Sequence, residues 1–178
     1  GRLGFDEINF DYIRFPSDGN MRDIAYPISK NRNKVEALTE FFAYLNNALS
    51  DLPVPISADV FGMTTTNYDD LNIGQVLESI APYFDYIAPM VYPSHYPPTF
   101  QGYKNPAAHP YEIVYFAMSK AVLRLSAPTS TPSKLRPWLQ DFDLGINYGA
   151  AEVEAQKKAV YDSGLTSWMI WDAGNKYT

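Results

Sequence analysis

Asp11 and Asp59 are the acidic side chains whose setting points to chemistry. Each lies near the end of a short apolar run: residues 7–15, closed by Pro16, and residues 54–61, closed by Gly62. Read as strands, such runs alternate faces with a period of two. Apolar Ile8 and Phe10 are then expected to meet helices, which turns Asn9 and Asp11 to the opposite face. By the same alternation Ile56, Ala58 and Val60 face outward, and Ser57 and Asp59 inward. Two carboxylates aimed at one space from neighbouring strand ends suit glycoside hydrolysis. One, raised in pKa, protonates the leaving oxygen, and the other stays ionised. A separation of about 5–5.5 Å would imply retention and about 6.5–9.5 Å inversion. Either acid alone fits a structural partner of Arg14 equally well, because ion-pair networks occupy similar places.

Other side chains are candidates to hold a substrate. Arg14 suits a carboxylate partner or a substrate clamp, and equally a solvated loop position. Tyr92 follows Met90 at inward spacing, so its hydroxyl can reach a sugar or a carboxylate. Trp138 and Gln140 share a face, which favours Gln140 over Asp141 and leaves Asp141 at the rim. Trp171 alternates with Met169 and could floor a sugar subsite, or serve as a packing residue. His95 and His109 are the only histidines, and they lie without ligand spacing in a Pro-rich loop over residues 93–110. No metal and no cofactor is expected from them. That loop, with Tyr96, Phe100 and Tyr103, is expected to wall a cleft.

These residues need a scaffold. Five strand-like runs, 7–15, 54–61, 84–92, 135–142 and 167–172, alternate with helical patterns over 34–49, 69–81, 111–125 and 152–161. Strand–helix alternation predicts an α/β fold with parallel strands joined by right-handed crossovers. No Gly-rich dinucleotide loop follows the first strand. Polar residues instead recur at strand C-terminal ends, namely Asp11, Asp59, Tyr92, Gln140 or Asp141, and Asp172. In a TIM (β/α)8 barrel those ends ring the mouth where active sites sit. A whole barrel takes eight strands and typically about 250 residues. Five units in 178 residues predict a partial barrel, a single domain over 1–178 with its N-terminal units missing. The opening residues 1–4 read as a chain picked up mid-fold, and residues 127–133 as a helix-to-strand loop. The outer strand edges call for cover by the missing units or by a second copy.

Composition narrows the partners. Net charge is −6 with no basic stripe, which argues against a nucleic-acid groove. The longest apolar runs are strand-length, so no membrane span is expected. Cysteine is absent, removing disulfides and thiolate metal sites. Aromatics reach 15%, which suits sugar-stacking platforms and ordinary cores alike.

Residues 4–16 (Gly-Phe-Asp-Glu-Ile-Asn-Phe-Asp-Tyr-Ile-Arg-Phe-Pro) resemble the hallmark strand of the bacterial barrel family called the putative glycosyl hydrolase domain. Residues 86–96, 136–142 and 168–172 are similar to its later strands. The resemblance covers essentially the whole chain and implies that the five strands are the fourth to eighth of a barrel. It implies a carbohydrate-active hydrolase, secreted or in the cell envelope, that cleaves a polysaccharide or envelope glycan without a cofactor. A fainter likeness to family-18 chitinases stops at Ile13, which stands where those enzymes carry a catalytic Glu. An amylase-like arrangement would make Asp11 the nucleophile and Asp59 the acid/base, with Asn9, Arg14, Tyr92, Trp138, Gln140 and Trp171 around the sugar. The rival expectations are a non-catalytic glycan-binding barrel and an inactive fragment of a larger enzyme.

Overall fold

The expected strands come together in order as one parallel sheet. A computed structural model describes residues 4–30, 32–126 and 131–178; residues 1–3, and 127–130 of the predicted loop, lie outside the described residues. The strands are β1 (Ile8–Phe10), β2 (Ile56–Phe61), β3 (Tyr86–Met90), β4 (Trp138–Gln140) and β5 (Met169–Trp171). All four neighbouring pairs are parallel, in the order β1-β2-β3-β4-β5. The sheet curls into part of a (β/α)8 barrel, with β1 and β5 at its two edges. Each strand is shorter than its apolar run, β2 only at its start and the others at both ends.

The helices cover the outer face. Helix α1 (Lys34–Ala48) starts at Asn33, whose side chain accepts hydrogen bonds from the N–H groups of Val35 and Glu36. That satisfies two of the four donors a helix start leaves free. Helix α3 (Pro110–Leu125) opens with Pro at its first position and buries Ile113, Val114, Ala117, Met118 and Ala121. Helix α4 (Ala150–Asp162) is capped where Glu152 Oε2 accepts from Gly149 N, 3.0 Å away. Outward-facing Ala58, Val60, Ile87 and Leu139 are fully buried in the shared core. Phe84 joins it between Phe42 of α1, 5.5 Å away edge-to-face, and Phe10 of β1 at 6.3 Å.

The second predicted helix is a correction. Only Leu77–Ile80 is helical (α2) within the expected 69–81. Asp69 and Asp70 accept hydrogen bonds from the backbone N–H groups of Leu71, Asn72 and Gly74 and build a turn instead. Leu71, Asn72 and Gly74 all take positive φ there, and side-chain-to-backbone bonds of this kind compete with a helix. The turn packs Gly74 so closely that a Cβ would lie 2.7 Å from Leu38 Cδ1.

Candidate functional site

The concave face of the sheet is layered. Near the N-terminal strand ends, Arg136 crosses the interior to pair with Glu7 and lies over the Tyr86 ring at 4.1 Å. Glu7, two residues before Asn9, therefore shares its inward face. One layer higher, Ser57 Oγ donates to Asn9 Oδ1 at 2.6 Å, and Asn9 Nδ2 donates to Asp59 Oδ2 at 2.9 Å. Trp138 Nε1 donates to Asp59 Oδ1 at 2.8 Å. Both carboxylate oxygens are thus held by donors from β1 and β4, which fixes the side chain of β2 between them.

Above this network a cleft of about 710 Å³ opens, within the usual size for small-ligand sites. Asn9, Asp11, Arg14, Asp59, Tyr92, Trp138 and Trp171 all line it. Asp59 is 6% exposed, and burial raises its pKa above the ordinary carboxylate range. The hydrogen bonds from Trp138 and Asn9 oppose that shift, and the negative charge of Asp11 adds to it. Asp11 is exposed, and its Oδ1 accepts from Tyr12 N at 2.7 Å. Burial, with the charges of Asp59 and Asp11 behind it, pushes the Tyr92 hydroxyl far upward, so it remains a neutral donor beside the carboxylates. Trp138 and Trp171 meet edge-to-face at 6.0 Å, and Trp171 leaves 42% of its surface open.

Two predicted residues sit elsewhere. Gln140 is fully buried: its Oε1 accepts from Ser94 N and Oγ, and its Nε2 donates to Phe142 O. Every polar atom of its side chain is engaged inside the protein, so it anchors the turn after β3 instead of facing a ligand. Asp141 is buried too, accepting from Thr178 N and Oγ1 instead of standing at the rim. Arg14 reaches the cleft but neither inward carboxylate. Its guanidinium lies 4.5 Å over the Phe61 ring and donates to Phe15 O and Ser17 Oγ. From the 93–110 loop His95 and Tyr96 reach the cleft wall. Phe100 packs behind Tyr96, while Tyr103 stacks on His109. Among the described residues no cluster of His, Asp and Glu could hold a metal ion.

The sequence concealed two contributors. Gln75, buried in the turn mistaken for helix, accepts from Phe61 N and donates to Ile13 O and Asp59 O. One side chain thereby ties the mouth ends of β1 and β2, the two strands that lead into Asp11 and carry Asp59. Gly62 allows β2 to approach β3 closely, since a Cβ there would stand 2.4 Å from Met90 O. A lone Gln inside an apolar pattern was the one available signal for the first, and Gly directly after a strand for the second.

A family model described as "putative glycosyl hydrolase domain" matches residues 1–177. No curated protein matches the chain. Among solved structures it is similar to the spore cortex-lytic enzyme SleL of Bacillus cereus (TM-score 0.61, 13% identity, 99% of this chain and 48% of that one). It is also similar to the PgaB (BpsB) glycoside hydrolase domain of Bordetella bronchiseptica (TM-score 0.57, 17% identity, 78% and 37%). A third likeness is to a chitinase from Chromobacterium violaceum (TM-score 0.56, 14% identity, 79% and 57%). At these identities the likeness shows the fold. The chain spans less than two thirds of each of those proteins.

Proposed function

We propose, from the premise that this chain belongs to the putative glycosyl hydrolase domain family, that it forms the catalytic face of a glycoside hydrolase acting on a polysaccharide or cell-envelope glycan. The observation that carries this reading is the pairing of Asp11 and Asp59 in one cleft, with Asp59 buried and raised in pKa while Asp11 is exposed. Two carboxyl groups whose surroundings differ in this way divide the labour of acid and base. Asp59 serves as the proton donor to the leaving oxygen, and Asp11 attacks or stabilises the anomeric carbon. Tyr92 donates a hydrogen bond to the substrate, and the Trp171 and Trp138 rings flank the sugar. Asn9 acts by holding Asp59. An enzyme of this family acting on an envelope glycan works in the cell envelope or is secreted. No helix among the described residues is long and apolar enough to cross a membrane.

The three neighbours suggest substrates to try first: chitin oligosaccharides, spore cortex, and a wider panel of glycans. Hydrolysis by the full-length protein is measured beside Asp11→Asn and Asp59→Asn. The expected result is turnover that nearly vanishes in both variants. Turnover indifferent to both exchanges would overturn the site. Glycan binding without turnover by the wild type would favour a non-catalytic sugar-binding barrel.

A further inference from the structure

Tyr12 is an anomaly that the carboxylate pair does not explain. Strict alternation would send it outward with Phe10, among the helices. Instead its φ is +56°, a left-handed backbone that bulky side chains rarely adopt. This twist interrupts the alternation: Asp11 and Tyr12, adjacent in sequence, both line the same cleft. The apolar order resumes at Ile13, which is buried in the core. Tyr12 is 77% exposed, so burial in the core does not offset the strained backbone. Arg14 stands 5.4 Å from the ring and also braces Phe61 at 4.5 Å, so one guanidinium sets two aromatic rings along the same wall. Strain held at a cleft, with an open aromatic as its product, is the pattern of a binding element.

We infer that Tyr12 is a sugar-stacking platform on the β1 side of the cleft, opposite Trp171 on β5, and takes the apolar face of a pyranose ring. This rests on the hydrolase reading for the identity of the ligand. It adds a substrate contact beyond the reacting sugar, so a glycan several sugars long is held by two platforms at once. The Asp11 hydrogen bond uses Tyr12 backbone N–H, so exchange of the side chain leaves that bond available.

The test is calorimetric binding of chitin-, cello- and malto-oligosaccharides of two to six sugars to the full-length protein. Wild type is compared with Tyr12→Phe, Tyr12→Ala and Tyr12→Gly, with melting and hydrolysis followed in parallel. Tyr12→Phe is expected to bind within about twofold of wild type. Ala and Gly are each expected to lose about tenfold on the longest ligand bound and less on the shortest, the scale of one aromatic contact. Gly is expected to melt above Ala, because it takes positive φ without strain, so a folding defect cannot mimic lost binding. Equal affinity in all four proteins would overturn the platform even if hydrolysis proceeds, and so would a wild type that binds none of the ligands. Affinity that falls in Ala and Gly while the wild type shows no turnover would keep the platform and sink the hydrolase reading.

Discussion

The two ends of the concave face handle charge in opposite ways. At the N-terminal strand ends the Glu7 carboxylate meets the Arg136 guanidinium, which is braced by the Tyr86 ring. At the mouth Asp59 and Asp11 share a cleft with the same sign of charge, and the donors on Asp59 are neutral groups. The lower pair is compensated and can remain static. Among the described residues the upper pair has no salt-bridge partner, only the more distant charge of Arg136 acting on Asp59, and such incomplete compensation is characteristic of catalytic groups. The same strands therefore carry an ion pair at one end and, under the proposed function, the reacting carboxylates at the other.

This contrast can be broken from either end. The largest effect is expected at the mouth: Asp59→Asn or Asp11→Asn should lower kcat by about a hundredfold to ten-thousandfold, the range of acid–base catalysis. Next is Arg136→Met, which strands Glu7 in a part-buried site. Denaturant unfolding should register a loss of about 1–3 kcal/mol, below the value for a fully buried pair because both side chains keep some solvent, with kcat within a few-fold of wild type. A collapse of kcat there at unchanged stability would erase the distinction between the ends.

The smallest effects concern pH. A proton donor must hold its proton, so activity should fall as pH rises through the raised pKa of Asp59. Trp138→Phe removes a donor that favours the ionised form, and the alkaline limb of kcat/KM should move to higher pH. A shift to lower pH would exclude Asp59 as the titrating acid. Stability follows the same sign. Folded Asp59 binds its proton more tightly than the unfolded chain does, so stability declines from the ordinary carboxylate range up through the raised pKa. Melting curves of Asp59→Asn should lack that slope.

Much of this was legible in the sequence because period-two alternation is a hard geometric rule. Asn9, Asp11, Asp59, Tyr92, Trp138 and Trp171 all reach the cleft that the pattern assigned to them. Alternation says nothing about depth or about competing partners, and there the reading failed. Gln140 points inward but is consumed by Ser94 and Phe142. Tyr12 escapes the rule through one backbone angle, and Gln75 was hidden because apolar spacing in 69–81 looks the same for a helix and for a packed turn. Hydrogen bonds such as Gln75 to Ile13 O and Asp59 O join residues 62 and 16 positions apart, beyond the reach of any local pattern.

The strand that leads into Asp11 is three residues long and stands at an edge of the sheet. β2 is its one strand neighbour, and Gln75 and the Asn9 network supply further ties. Release of that strip would separate Asp11 from Asp59 while the core over β2, β3 and β4 stayed folded. The fraction of molecules ready to react is then governed by the attachment of one short strip, well before the melting of the whole.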